Sequence, residues 1–215
     1  MDLERLRKEQ KMLAKSVVVK DRFKRIETIA GFDTAYAKGY GFASAVLLDY
    51  QNMKVIERKV VKVKIHFPYI PTFLSYRELA GIIAAYDSLE KEPDLLMLNG
   101  QGIAHPRFLG LASHAGVVLK KPSIGIAAKK LVGEYNKEAL EKNGYAKLTY
   151  EGRDVGWVYI SKKNCRPIFI SPGHLVSLTS ALKITKHCIR AHKLPEPVRL
   201  AHITATEKAK SSKRI

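Results

Sequence analysis

Leu95-Leu-Met-Leu-Asn-Gly-Gln-Gly-Ile-Ala-His-Pro-Arg107 opens with four apolar residues and then breaks. Residues 95–98 are long enough for a short buried strand. Asn99-Gly-Gln-Gly102 is a turn signal, a place where a chain can leave a sheet. Asn99, Gln101, His105 and Arg107 crowd that exit. In open α/β sheets, polar groups gathered at the end of a buried strand are where chemistry is placed. Taken alone, the stretch fits equally well a strand and a glycine turn that only shape the fold.

The segments around it predict the rest of a sheet. Residues 26–32 read as a strand leading into Asp33, and residues 42–48 as a second, too apolar for a solvent-facing edge. Residues 55–63 alternate apolar and charged side chains, the pattern of a half-exposed strand. A glycine-rich turn at 36–41 and the short connections predict an antiparallel meander. Phe67-Pro-Tyr-Ile-Pro71 interrupts the pattern; its two prolines stiffen a loop that presents Tyr69 and Ile70. A helix over 73–89, the strand at 95–98, a helix over 110–119 and a strand over 123–127 complete the order βββαβαβ. Beyond it come a connection with a short helix at 132–143, strands at 146–150, 155–160 and 168–170, a helix over 175–188 and a last short helix from Pro195. Residues 1–25 read as an N-terminal helix and residues 207–215 as a basic, flexible tail. With no repeat and no low-complexity linker, residues 1–215 are expected to form one domain.

The chain carries 38 Lys+Arg against 20 Asp+Glu, a formal charge of +18, which concentrates polyanions and favours phosphate backbones. A lysine-rich source would explain part of that excess; on a single domain, +18 points to nucleic acid. No apolar run approaches the ~18 residues that span a membrane. The charged start Met1-Asp-Leu-Glu-Arg5 lacks the apolar stretch of a secretory signal, so a cytoplasmic protein is expected. Cys165 and Cys188 lack C-x-x-C spacing, which argues against a thiolate metal site and leaves a disulfide open.

Three oxygen-bearing residues fall at matching places in this layout. Asp33 follows the first strand, Glu78 lies early in the helix after the third, and Asn99 ends the fourth. If the first and fourth strands are neighbours, Asp33 and Asn99 come side by side and Glu78 reaches in from the covering helix. Converging oxygen ligands suit Mg²⁺, and two such ions can align a water and a leaving oxygen across a phosphodiester. Singly, each residue has a plainer reading: Asp33 as a turn cap, Glu78 as a salt-bridging helix residue, Asn99 as turn chemistry.

Four ordered motifs between about residues 27 and 203 resemble the endonuclease V family. They are Ala30-Gly-Phe-Asp33; Phe67-Pro-Tyr-Ile-Pro71 with Arg77-Glu78; Asn99-Gly-Gln-Gly-Ile-Ala-His-Pro-Arg107 with Ala112-Ser-His114; and Ser171-Pro-Gly-His174 with Pro195-Glu-Pro197 and Arg199-Leu-Ala-His202. The resemblance implies a ribonuclease H-like α/β fold, a mixed sheet with helices on both faces. It implies a Mg²⁺-dependent endonuclease of DNA repair, with Mn²⁺ as a substitute. Such an enzyme recognises deaminated adenine (inosine) and cuts the second phosphodiester 3′ to it, leaving a 3′-hydroxyl and a 5′-phosphate. Asp33, Glu78 and Asn99 are implied as metal ligands, and these three with His202 as catalytic residues. Tyr69 is implied as a wedge that fills the gap of a displaced base, flanked by Pro68 and Ile70. Gly100, Gln101, Gly102 and Gly110 are implied around the flipped base, with Leu131 and Gly133 beside them; His105, His114 and Lys129 are implied as substrate contacts. Arg107, Lys130 and Arg199 are further candidates for phosphate. Inosine-containing DNA is the implied partner, with single-stranded RNA left open, and nothing demands more than a monomer.

Two positions depart from the family pattern. Asn99 stands where the family has a metal-binding aspartate, and Ala128 where it has a catalytic lysine. Asparagine keeps an oxygen but loses the charge, which weakens a Mg²⁺ site. Lys129 is adjacent, but in an extended chain neighbouring side chains face opposite ways. An attenuated or inactive protein that still binds inosine is the alternative.

Overall fold

Ten residues of β1 (Thr28–Ala37) run antiparallel to ten of β2 (Tyr40–Asp49) across the turn Lys38-Gly39. Both turn residues have positive φ, 48° and 78°, the backbone twist that lets two right-twisted strands join through two residues. In the computed structural model, which describes residues 2–213, β3 (Val55–Lys64) completes the meander. The chain then crosses through α2 (Leu74–Asp87) to β4 (Leu95–Asn99), parallel to β1, and through α3 (Leu111–Leu119) to β5 (Ser123–Ala127), parallel to β4. After α4 (Lys137–Asn143) come β6 (Tyr145–Tyr150), β7 (Arg153–Tyr159) and β8 (Ile168–His174), which returns antiparallel to β5. The sheet order is β3-β2-β1-β4-β5-β8-β7-β6. The helices α1 (Leu3–Ala14), α5 (Leu178–Cys188) and α6 (Glu196–Ser211) complete the elements. This is the ribonuclease H-like architecture.

The apolar run of β4 is explained by burial on both faces. Leu95 and Met97 pack into a core shared with α5 and α6, Leu96 and Leu98 into one shared with α2 and α3, and all four are fully buried. Each such side chain contributes about 1.5–3 kcal/mol relative to an exposed one. Asp94, just before β4, accepts hydrogen bonds from the backbone N–H of Glu27 and Thr28, both at 2.9 Å, and from the Thr28 hydroxyl. These bonds fix where β4 starts against β1.

The structure departs from the sequence reading at four places. β1 does not stop before Asp33 but continues to Ala37, because residues 33–37 pair with β2. The N-terminal helix ends at Ala14 rather than at residue 25 (Met1 lies outside the described residues). The β-branched run Val17-Val-Val19 disfavours helix, and the chain instead bonds across β8, Leu175 N–H to Val18 O at 2.7 Å. β8 does not end at residue 170: Ser171-Pro-Gly-His174 stays in the strand and is wholly buried. The expected flexible tail is helical as far as Ser211, with residues 214–215 outside the described residues. Ala201, Ala205 and Ala209 recur every four residues on its buried face, and Ala209 packs with Ala37 and Phe42. Cys165 and Cys188 are both free. Among the described residues, no helix is long and apolar enough to cross a membrane.

Helix α6 lies very close to β1. A Cβ added to Gly31 would stand 1.9 Å from the carbonyl oxygen of Pro197. The Ser44 hydroxyl donates to the Ala201 carbonyl at 2.8 Å and ties the same helix to β2. Only glycine permits this approach, and it brings His202 over the sheet. Gly31→Ala is therefore expected to destabilise the fold by about 3 kcal/mol, the upper part of the overpacking range. Urea unfolding measures this; parent-like stability would show that α6 can shift at no cost.

Candidate active site

The parallel register of β1 and β4 ends at Phe32 opposite Leu98, so Asp33 and Asn99 follow as neighbours. The Asn99 side-chain N–H donates to Asp33 Oδ1 at 3.0 Å. From α6, His202 Nδ1 lies 2.7 Å from Asp33 Oδ2. With Asp33 ionised it only accepts, so Nδ1 is the donor and Nε2 is left for another partner. Asp33 is buried, and burial raises its pKa against the opposing pull of His202 and Asn99. Glu78 reaches the same cavity from α2. It is 6 % exposed, and burial pushes its carboxyl up to about 8, with the nearby Asp33 charge adding to the rise. The Tyr36 hydroxyl donates to Glu78 Oε1 at 2.5 Å.

A cavity of about 560 Å³ opens over this group. Asp33, Glu78, Asn99 and His202 line it, together with Tyr69, Ile70, Gly100, Gln101, Gly110, Lys129 and Leu131 of the expected substrate contacts. Tyr69 is 69 % exposed and does not pack into the core. Gln101 is 8 % exposed; its amide N–H donates to Lys129 O at 3.0 Å, which fixes the amide so that Oε1 points the other way. That oxygen is buried and has no hydrogen-bond partner. Gly110 lets its backbone pass where a Cβ would stand 2.3 Å from Gln101 O.

Ala128, Lys129 and Lys130 all line the cavity. β5 ends at Ala127, so the alternation of an extended strand does not reach Ala128 and Lys129.

Other expected contacts lie elsewhere. Pro68 lines a different cavity. Gly102 is interior, its N–H donating to the Ser171 hydroxyl at 2.7 Å, with room for no Cβ beside Pro172. Gly133 sits in a turn with φ +85° against Thr149. His114 is buried in α3 with its ring edge-on to Tyr76 at 5.7 Å, outside the cavity lining. Arg199 is held by two bonds to Glu196, at 2.8 and 2.6 Å.

His105 lines the cavity, yet both its ring nitrogens are engaged. Nε2 bonds the Thr72 carbonyl at 2.9 Å, and Nδ1 accepts from the Arg107 backbone N–H at 3.2 Å. Arg107 also serves the fold: it donates to Gln10 at 2.5 Å, to Thr72 O at 3.0 Å and to Thr72 Oγ1 at 2.6 Å. Gln10, fully buried in α1, donates to the same Thr72 carbonyl at 3.1 Å. Thr72 has φ +70°, costly for a β-branched residue, and three side chains hold it there. At the other end of the loop, Arg77 donates to Phe67 O at 2.5 Å. The segment bearing Tyr69 is thus clamped at both ends.

Gln10, Thr72 and Tyr36 escaped the sequence reading. Strand alternation from Asp33 places Thr34 and Tyr36 on the α2 side, so Tyr36 was findable; Gln10 carries no local signal.

The oxygen donors expected for Mg²⁺, on Asp33, Glu78 and Asn99, share the cavity, held in this structure by hydrogen bonds to one another and to Tyr36. Asn99 turns its N–H, not its oxygen, to Asp33, and Glu78 is engaged by Tyr36. Among the described residues, no three His, Cys, Asp or Glu side chains converge on one point.

A family model described as endonuclease V matches residues 11–203. The fold also matches solved structures. Endonuclease V from Streptomyces avermitilis is 30 % identical, with a TM-score of 0.90 over 98 % of this chain and 94 % of that one. Human endonuclease V is 29 % identical, with a TM-score of 0.89 over 99 % and 100 %. Ciona intestinalis endonuclease V, solved with a 24mer DNA containing an inosine followed by a ribo-adenosine, is 26 % identical, with a TM-score of 0.89 over 97 % and 98 %.

Burial pushes the His105 imidazole down to about 4, so the folded protein holds it neutral. The unfolded chain takes up that proton near pH 6.5. The stability contributed is complete above 6.5 and falls as pH drops toward 4, by about 3 kcal/mol. His105→Gln keeps the donor to Thr72 and is expected to remove that part of the slope. Thermal unfolding of both proteins from pH 7 to pH 4 measures the difference.

Proposed function

Because the chain belongs to the endonuclease V family, we propose that it is a nuclease directed to nucleic-acid strands containing inosine. The observation that carries this reading is the unpartnered Gln101 Oε1 beside a cavity that also holds the exposed Tyr69. A buried acceptor without a partner costs about 1–3 kcal/mol unless a ligand satisfies it. Hypoxanthine, the base of inosine, offers an N1–H donor where adenine has a lone pair, so the same oxygen that welcomes one repels the other. An aromatic ring on a clamped loop can replace the base in the stack while the base is turned out. The Ciona intestinalis relative with inosine-containing DNA supports the same class of partner.

The reaction attached to this site by the family resemblance is hydrolysis of the second phosphodiester 3′ to the inosine, with Mg²⁺ or Mn²⁺ held by Asp33, Glu78 and Asn99. A divalent cation there would polarise the phosphate and lower the pKa of a water. This chain's own residues contribute Asp33 as a fixed carboxylate, His202 held by Asp33 with Nε2 free for a phosphate oxygen or a water proton, and Lys129 and Lys130 at the cavity wall.

A second reading is favoured by the Asn99–Asp33 hydrogen bond and by Ala128 at the cavity wall. The acidic group lacks one formal charge and the wall lacks one lysine at its expected place. The protein would then bind inosine strands and cut them slowly or not at all.

One experiment separates the readings: cutting and binding of a labelled strand bearing a single inosine, in Mg²⁺ and in Mn²⁺. Asn99→Asp and Asn99→Asp/Ala128→Lys are compared with the parent. Cutting by the parent within about tenfold of the double variant supports the nuclease; binding with cutting only in the restored variants supports the second reading. Absence of inosine-dependent binding in every variant rejects both. Tyr69→Ala is expected to lower the inosine-to-adenine binding ratio about tenfold, in line with the ~1–3 kcal/mol of a base–aromatic stack.

A further inference from the structure

The segment 67–71 divides its residues between two cavities. Tyr69, Ile70 and Pro71 line the one described above; Phe67 and Pro68 line a second, of about 500 Å³. The β1–β2 turn forms part of the second wall through Lys38, Gly39 and Tyr40. Arg77 and Lys213 add to its positive character, His66 lies beside them, and no Asp or Glu is among its lining residues. Two tyrosine rings, Tyr36 and Tyr40, are each 36 % exposed there. The Arg77 guanidinium lies 4.3 Å from the Tyr36 ring centroid, and the Lys62 ammonium 4.0 Å from that of Tyr40. Tyr36 also donates to Glu78, which lines the first cavity, so one hydrogen bond links the two.

Cations interleaved with aromatic faces are the chemistry by which proteins hold single strands: the charges track phosphates and the rings stack bases. A small anion would need the charges but not the tyrosines. We propose that the second cavity is a subsite for the nucleotides flanking the one read in the first, with phosphates against Lys38, Arg77 and Lys213 and a base against Tyr40. The inference rests on the nucleic-acid reading above and extends it to the far side of the wedge segment.

The test is binding of the 215-residue chain to labelled single strands, without divalent cation. The strands are a long one with a central inosine, two shortened on the 5′ or the 3′ side of it, and the long strand with adenine. The variant is Lys38→Asn/Tyr40→Ala. Asparagine tolerates the left-handed turn that Lys38 occupies and removes its charge. The expected result is about tenfold weaker binding of the long strand, parent-like binding of one shortened strand, and a salt dependence shallower by about one unit of slope. Unchanged binding of the long strand, or an equal loss on both shortened strands, overturns the proposal. If thermal unfolding shows that the variant does not fold, His66→Ala/Lys213→Ala carries the same expectations. The adenine strand separates this proposal from the inosine reading. A parent without inosine preference sinks that reading, while a variant loss on adenine strands still supports the subsite. A free nucleoside monophosphate that saturates the protein without displacing the long strand also overturns it.

Discussion

Three hydrogen bonds to the Asp94 carboxylate set the start of β4 against the start of β1, and the site at the other end of both strands inherits that alignment. From Thr28 and Asp94 the parallel register runs to Phe32 and Leu98, each step buried on both faces. The next residues out, Asp33 and Asn99, must then lie side by side. A slip of one residue would turn Asn99 to the opposite face of the sheet. The contact between α6 and Gly31 closes the arrangement from above and delivers His202.

That arrangement has an electrostatic consequence. The site carries two carboxyl groups within a chain of formal charge +18, yet one of them, Glu78, is held near the neutral form by burial. The other, Asp33, spends one oxygen on Asn99 and one on His202. An aspartate in place of Asn99 could not donate to Asp33; two carboxylates at that distance repel unless a proton or a cation lies between them. The amide therefore does more than remove a charge. It satisfies its neighbour internally.

Much of the sheet was legible in the sequence because its signals are local. The apolar run 95–98, the alternation in 55–63 and the turn glycines each fix an element without reference to distant residues. Helix α6 was read too short because Lys208, Lys210 and Ser211 look like a solvated tail, and the alanine spacing that buries the opposite face is weakly apolar. Of the site, Asp33, Asn99 and His202 were legible as a group through their motifs. His105, His114, Arg107 and Arg199 were read as facing the substrate; the protein partners they also have are set by tertiary packing. Arg107 meets Gln10 across 97 positions of sequence, and no periodicity reports such a contact.

The clamp around Thr72 joins the first helix to the loop that bears Tyr69. Gln10 is the only α1 side chain that is fully buried, and its amide grips the carbonyl at the foot of the loop that bears Tyr69. The loop is therefore held in place by the protein's own contacts, and a ligand would not have to order it. The same connection carries a cost. Undocking α1 would remove the Gln10 contact and free Thr72 to relax toward an unstrained backbone, loosening the foot of the loop. The position of the exposed Tyr69 ring on warming is therefore only as secure as the docking of α1.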